Sequence, residues 1–283
     1  MIDHKNHGRR RRVSLLGAGV LSLAMLASCA NVQTTQGGTV GVDRAQYMTS
    51  LVSSQDLQQE ADQQYATILA QAKAKNLLDV DPQQVARVRT IAQRLIAQVG
   101  VFRPDATSWA WEVHVLSTQE INAWCMPGGK MAVYTGLLTQ IKPTDDELAA
   151  VMGHEISHAL REHARERVSQ QMATSVGLSV LSVVTGSPAV SDLGGKLSDV
   201  MFTLPNSRTH EAEADRMGVE LAARAGYDPS AAISLWRKMA QASEGKEQPE
   251  ILSTHPSAES RIADLQAASQ QVMPLYQKAK NAK

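Results

Sequence analysis

Cysteine is almost absent from this chain. Cys29 and Cys125 are the only two in 283 residues, so cysteine supplies neither a disulfide framework nor a cluster of thiolate ligands. Aromatic residues make up 4% of the sequence, and the core must rest on Leu, Val, Ala, Ile and Met. Neither sign of charge is in excess: 28 Lys and Arg stand against 28 Asp and Glu, which gives no electrostatic basis for binding nucleic acid. The charge-free run Val13 to Leu26 is too short for a comfortable membrane span. There is no internal repeat and no long block of like charge. What is present is a hydrophobic share of 43%, enough for the core of a single sizeable domain.

The basic residues gather at the N-terminus, in Arg9 to Arg12, directly before that apolar run. A basic segment, a short apolar stretch and small residues together read as a secretion signal. Leu26-Ala27-Ser28-Cys29 resembles the bacterial lipobox, which predicts a signal peptide over 1–28 and lipid on Cys29. The alternative is an ordinary signal peptide with an incidental cysteine. Ala30 rather than Asp after the cysteine favours, by resemblance to enterobacterial lipoproteins, the periplasmic face of the outer membrane. If Cys29 carries lipid, no intramolecular disulfide remains, and Cys125, between Trp124 and Met126, reads as a buried thiol. Residues 30–42 are polar and predict a flexible tether, with one domain over 43–283.

Periodicity places the elements of a mainly helical α+β domain. A helical pattern runs from Arg44 to Leu78, and Pro82 opens a helix over Gln83 to Val99. Trp109 to Val115 alternates with period two and predicts a strand. Ser117 and Glu120 form a capping box for a short helix to Ala123. Lys130 to Tyr134, after the turn Pro127-Gly128-Gly129, predicts a second strand, expected at a sheet edge beside the next helix. Thr144 and Glu147 cap that helix, which is expected to run through Val168. The apolar stretch Val176 to Val190, broken by Gly186 and Pro188, predicts a helical hairpin over the site. Further helices are expected over Arg208 to Arg224, from Asp228-Pro229 to Ala242, and from Ala258 to Ala268.

His154-Glu155-Ile156-Ser157-His158 carries the chemistry. Four residues apart on a helix, both imidazoles lie on one face and can reach one ion, while Glu155 can reach a metal-bound water as general base. Gly153 and Ala159 leave space for close packing. A catalytic zinc has three protein ligands, and the third comes from another element. Candidates are Glu162, His163, His210, Glu211, Glu213 and His255. Glu211 and Asp215 share one face of the helix over Arg208 to Arg224, so Glu211 can bind the ion while Asp215 orients a ligand histidine. Glu213 points about 160° away, toward solvent or another helix, and its removal is expected to leave metal and activity intact. Arg208, three before Glu211, either stabilises a developing oxyanion or forms a salt bridge. His114, His163 and His210 read as structural or surface residues.

His-Glu-x-x-His, followed by Ser-Arg-x-x-Glu-x-x-Ala-Asp over Ser207 to Asp215, resembles the M48 metallopeptidase family. Asn122-Ala-x-x-x-Pro127-Gly128-Gly129-Lys130 and Val133-x-x-Gly136-Leu137-Leu138 add to the likeness, which spans Pro82 to Leu265. In layout the chain is most similar to the family's periplasmic lipoprotein and mitochondrial stress-protease members, as a short, single-domain form without a C-terminal helical-repeat extension. The resemblance implies a gluzincin-type domain with a small sheet beside the zinc helix and one Zn2+ per chain. His154, His158 and Glu211 match its zinc ligands, Glu155 its base and Asp215 its supporting acid. His255, in Thr254-His255-Pro256, matches a loop histidine that approaches the metal and restrains activity in some relatives; a structural role for it stays open. The implied function is endopeptidase cleavage of unfolded or misfolded envelope polypeptides, with outer-membrane assembly machinery as a further partner. The alternative is a chaperone-like or scaffold role with weak proteolysis.

Overall fold

Side chains that satisfy free backbone N–H groups decide where the helices begin. Ser53 and Asp56 form a reciprocal capping box at the start of α1 (Ser54–Ala74). Asp81 accepts from the backbone of Gln83 and Gln84, with Pro82 in the first turn, and opens α2 (Pro82–Ile96). Thr144 and Glu147 form the expected box at α3 (Asp145–Leu160). After α4 (His163–Thr185) and α5 (Leu193–Phe202), Ser207 caps α6 (Arg208–Arg224) by accepting from the His210 N–H. Three more helices follow: α7 (Ala231–Ala242), the short α8 (Glu250–Thr254) and α9 (Glu259–Asn281). The last runs well beyond the expected end at Ala268 and continues through Pro274. The computed structural model describes residues 29–185, 193–242, 249–256 and 259–282. The expected signal peptide lies outside them.

Two small sheets complete the α+β fold. At the N-terminus β1 (Cys29–Val32) pairs antiparallel with β2 (Gln46–Thr49), placing Cys29 opposite Thr49. The segment expected to be a tether is therefore held to the fold. The Gln36 N–H donates to the Phe102 carbonyl at 2.7 Å, and Val40 and Val42 are buried in the main core. Helix begins only at Ser54, because residues 46–49 spend their backbone groups on β1.

The second sheet has the order β3 (Glu112–Leu116), β5 (Lys130–Tyr134), β4 (Ala123–Met126), with β5 parallel to β3 and antiparallel to β4. β5 is thus the central strand, and β4 is the edge that packs against α3. This corrects the expectation that Lys130 to Tyr134 forms the edge. The tight turn at Gly128 and Gly129, with φ of 81° and 84°, folds β5 back on β4, and the Lys130 ammonium holds β3 from the other side by a 2.6 Å ion pair to Glu112. Strand structure begins at Glu112 rather than Trp109, because Pro104–Ser108 forms a 3-10 turn that accepts the Trp109 N–H and the Trp111 indole N–H at Ala106. The expected short helix after Ser117 is also absent. Ser117 donates to the Leu77 carbonyl and Thr118 to the Thr135 hydroxyl, so those N–H groups are already used.

Alternate residues of this sheet enter two cores. Val115, Ala123, Cys125, Met131 and Val133 join the large core with α2, α3, α6 and α7. Leu116, Trp124, Met126 and Ala132 join a smaller one with α1, α4 and α5. One long helix through Val168 was expected, but the chain breaks after Leu160: Glu162 is left-handed, with φ of 53°. Its carboxylate is held by Arg103 at 2.6 Å, Arg165 at 2.9 Å and the Ser54 hydroxyl at 2.9 Å. Among the described residues no helix is long and apolar enough to cross a membrane. The hairpin expected over Val176 to Val190 falls partly outside the described residues, since 186–190 are not among them; α5 packs against α4 and α1.

Candidate metal centre

Glycine brings the two site helices together. A Cβ on Gly153 of α3 would lie 2.8 Å from the Gly218 carbonyl oxygen of α6, and one on Gly218 would lie 2.8 Å from the His154 nitrogen. With hydrogens there instead, the backbones touch, and short side chains can meet across the helix pair. His154, His158, Glu211 and His255 converge: one donor atom from each lies within 4.8 Å of all the others. His158 Nε2 is 3.1 Å from His154 Nε2, and His255 Nδ1 is 3.3 Å from His154 Nε2 and 2.9 Å from Glu211 Oε1. Glu211 is 3.5 Å from His154 and 3.4 Å from His158. All four are buried.

His154 Nδ1 lies 3.0 Å from Asp215 Oδ1. That carboxylate accepts a hydrogen bond from the Nδ1–H, which leaves Nε2 with a lone pair aimed at the His158 nitrogen. The two Nε2 atoms, 3.1 Å apart, share one hydrogen at most, and a cation between them would satisfy both. Glu155 Oε1 and Glu211 Oε2 are likewise buried without a hydrogen bond, although Arg261 approaches Glu211 Oε2 as an ion pair at 2.8 Å. Imidazole and carboxylate donors in this arrangement fit a divalent transition metal such as zinc. Burial raises the Glu155 carboxyl above its usual range. Burial also acts to raise Glu211, but His255, His158 and His154 together hold it well below the carboxylate range, ready as an anionic donor. Burial pushes His158 well below its ordinary value, so its imidazole is neutral. The cluster opens on a cleft lined by Trp124, Cys125, Pro127, Glu155 and Arg167.

The model of peptidase family M48 matches residues 82–269, well over half of the chain. The chain belongs to peptidase family M48. It is 38% identical over 152 residues to the mitochondrial metalloendopeptidase OMA1 of Arabidopsis thaliana, covering 54% of this chain and 30% of that protein. It is 36% identical over 214 residues to OMA1 of Bos taurus, covering 71% and 40%. To the beta-barrel assembly-enhancing protease of Escherichia coli it is 29% identical over 208 residues, covering 69% and 41%. The chain thus spans less than half the length of each of these three relatives.

Within this M48 domain most of the expected site residues meet. His154, His158, Glu211, Glu155 and His255 form the cluster, and Asp215 contacts His154. Arg208 is not brought in. It is exposed in the first turn of α6, and no ion pair to Glu155, Glu211 or Asp215 is found for it among the described residues, because its side chain leaves the helix on the solvent side. Arg261 is a cation at the site that sequence reasoning missed. It grips both Asp215 oxygens at 2.7 Å, pairs with Glu211 and stacks 4.0 Å over the Trp236 ring. The available signal was its place in the first turn of α9, shortly after His255-Pro256.

Glu213 does not face solvent. It is 7% exposed and binds Arg44, Arg161 and His163. His163 is also buried, stacked on His210 with centroids 4.4 Å apart, and burial lowers it to about 3. His210 bonds Glu166. His114, as a structural residue, binds Asp79 at 2.7 Å. Cys125 is buried, and burial pushes its thiol well above the usual range.

Proposed function

We propose that this chain is a zinc-dependent endopeptidase for unfolded or misassembled polypeptides, lipid-anchored through Cys29 at the periplasmic face of a bacterial outer membrane. The observation that carries the reading is the convergence of His154, His158 and Glu211 on one point, with Glu155 Oε1, which accepts no hydrogen bond, beside them. These three residues would hold the ion, one per chain. When bound, Zn2+ polarises the scissile carbonyl and makes water a stronger acid. Glu155 takes the proton of the attacking water and passes it to the leaving amine. Its raised pKa, caused by burial, suits a carboxyl that must both accept and release a proton. Asp215, clamped by Arg261, keeps the His154 ring in the ligating tautomer.

β4 lines the cleft with Ala123, Trp124 and Cys125, and it is an edge strand of its sheet. An extended substrate adds to that edge by backbone hydrogen bonds, which tolerate many side chains. This suits unfolded substrates, and the name of the Escherichia coli relative, a beta-barrel assembly-enhancing protease, supports envelope proteins as the class. His255 Nδ1 joins the same cluster and would take the position that water needs, so the arrangement is a restrained one. His255→Ala is expected to raise basal proteolysis, including self-cleavage; unchanged activity with zinc retained would leave His255 a structural role.

Casein cleavage and metal analysis on the same preparations test the chemistry. Glu155→Gln should keep about one zinc per chain and lose at least about a hundredfold in rate. His154→Ala and Glu211→Ala should lose the metal. Full activity in Glu155→Gln, or in wild type stripped by a chelator, would overturn the proposal. Cys29→Ala should leave the membrane fraction; a wild type without lipid would refute the anchor.

A further inference from the structure

His154 and His158 both need their Nδ1 atoms protonated if their Nε2 atoms are to bind metal, yet only His154 has a carboxylate at that position. His158 Nδ1 instead lies 2.8 Å from the Nδ1 of His163. His163 Nε2 lies 3.0 Å from Glu213 Oε2. Glu213 is held in turn by Arg161 Nε at 3.1 Å and by Arg44 Nε at 2.6 Å. Arg161 also donates to the Arg44 carbonyl at 2.7 Å and to the Thr35 hydroxyl at 3.2 Å.

Hydrogen-bond bookkeeping gives this chain one direction. Glu213, fixed as an anion by two guanidinium groups, can only accept, so His163 carries a proton on Nε2. A neutral His163 then has a lone pair on Nδ1 and accepts from His158 Nδ1–H. That leaves the His158 Nε2 lone pair facing Glu211 and His154. We infer that His163 and Glu213 are positioning residues that fix the metal-binding tautomer and ring orientation of His158, by a relay reaching through Arg44 to the segment before β2. The inference rests on the reading of His158 as a metal ligand. The left-handed Glu162, with φ of 53°, is what turns His163 back under His158; on a continuous helix, a residue five beyond His158 would lie off its face.

The test compares His163→Leu, which fills the space but cannot accept a hydrogen bond, with His163→Gln, whose amide oxygen can. Zinc affinity is measured by chelator competition on the intact chain, with the Co2+ absorption spectrum as a second readout and thermal unfolding of the metal-free protein as a control for folding. Expected is a loss of about 10- to 100-fold in affinity for His163→Leu, a changed Co2+ spectrum, and recovery of most of the loss in His163→Gln. Wild-type affinity in His163→Leu, or equal losses in the two variants, would overturn the inference. If His163→Leu does not fold, histidine 15N shifts of the zinc-loaded wild type decide. Nε2–H on His163 with Nδ1–H on His158 supports the relay, and Nδ1–H on His163 refutes it. A wild type that binds no zinc would sink the metal-site reading itself, which is a different result from either.

Discussion

The two histidines of α3 sit one turn apart, and the fold supports them in different ways. His154 meets Asp215 directly, and Arg261 clamps that acid while stacking on Trp236. On its Nδ1 side His158 meets a histidine first and a carboxylate only beyond it, with Arg44 and Arg161 as the outer clamp. The His154 support needs α6 and the first turn of α9. The His158 support also needs α6, which carries Glu213, together with a left-handed break, the start of α4, and a segment more than a hundred residues upstream. A direct contact survives small shifts of one helix pair. A relay depends on three elements keeping register.

The largest expected effect is at the direct contact. Asp215→Ala leaves the guanidinium of Arg261 buried beside Glu211 alone and removes the partner of His154. Breaking one half of a buried pair costs about 3–5 kcal/mol, so thermal unfolding should shift strongly and metal content should fall. Stability equal to wild type would show that Arg261 holds the site without Asp215.

Acid separates the two supports next. The folded pKa of His163 is depressed by burial to about 3, from 6.5, so the unfolded chain binds the proton first as pH falls. Its contribution is present above pH 6.5 and is lost progressively toward pH 3, at up to about 1.4 kcal/mol per pH unit. Asp215 is also buried, but Arg261 and His154 lower its carboxyl below 3.8, so that contribution persists until pH falls below 3.8. Denaturant unfolding of the metal-free protein should lose stability between pH 6.5 and 4, and His163→Gln should flatten that slope. An unchanged slope in the variant would assign the loss to other groups.

A third expectation concerns the helix contact that both supports share. Gly218→Ala must push the α6 backbone off His154; overpacking of this kind costs about 1–3 kcal/mol, measurable by thermal unfolding, and should weaken zinc binding as well. The smallest effect is at Arg208. Exposed and outside the cluster, it should change stability by less than about 0.5 kcal/mol on replacement by Ala and leave the cleavage rate unchanged. A large rate loss there would restore it as an oxyanion-stabilising candidate.

Much of the domain was legible in one dimension. The capping box of Thr144 and Glu147, Pro82 behind Asp81, and the four-residue spacings of His154 to His158 and Glu211 to Asp215 are local rules, and the structure follows them. The misreadings share a cause. Ser117 and Glu120 look like a cap until the Ser117 N–H is claimed by Leu77. Lys130 to Tyr134 looks like an edge until β3 pairs with it across a long connection. In each case a partner distant in sequence took over a group whose local preference pointed elsewhere.

The sequence by itself determined the donor chemistry: two imidazoles on one helical face, an acid between them, and a carboxylate on a second helix with another acid one turn on. Periodicity is enough for this, because a helix fixes which residues share a face. Only the tertiary structure decided what stands behind each donor. The approach of Arg261, the turn that aims His163 at His158, and the clamp of Arg44 on Glu213 depend on the packing of separate elements. No local spacing encodes that packing, since burial and ion pairing across the fold are set by the whole chain closing on itself.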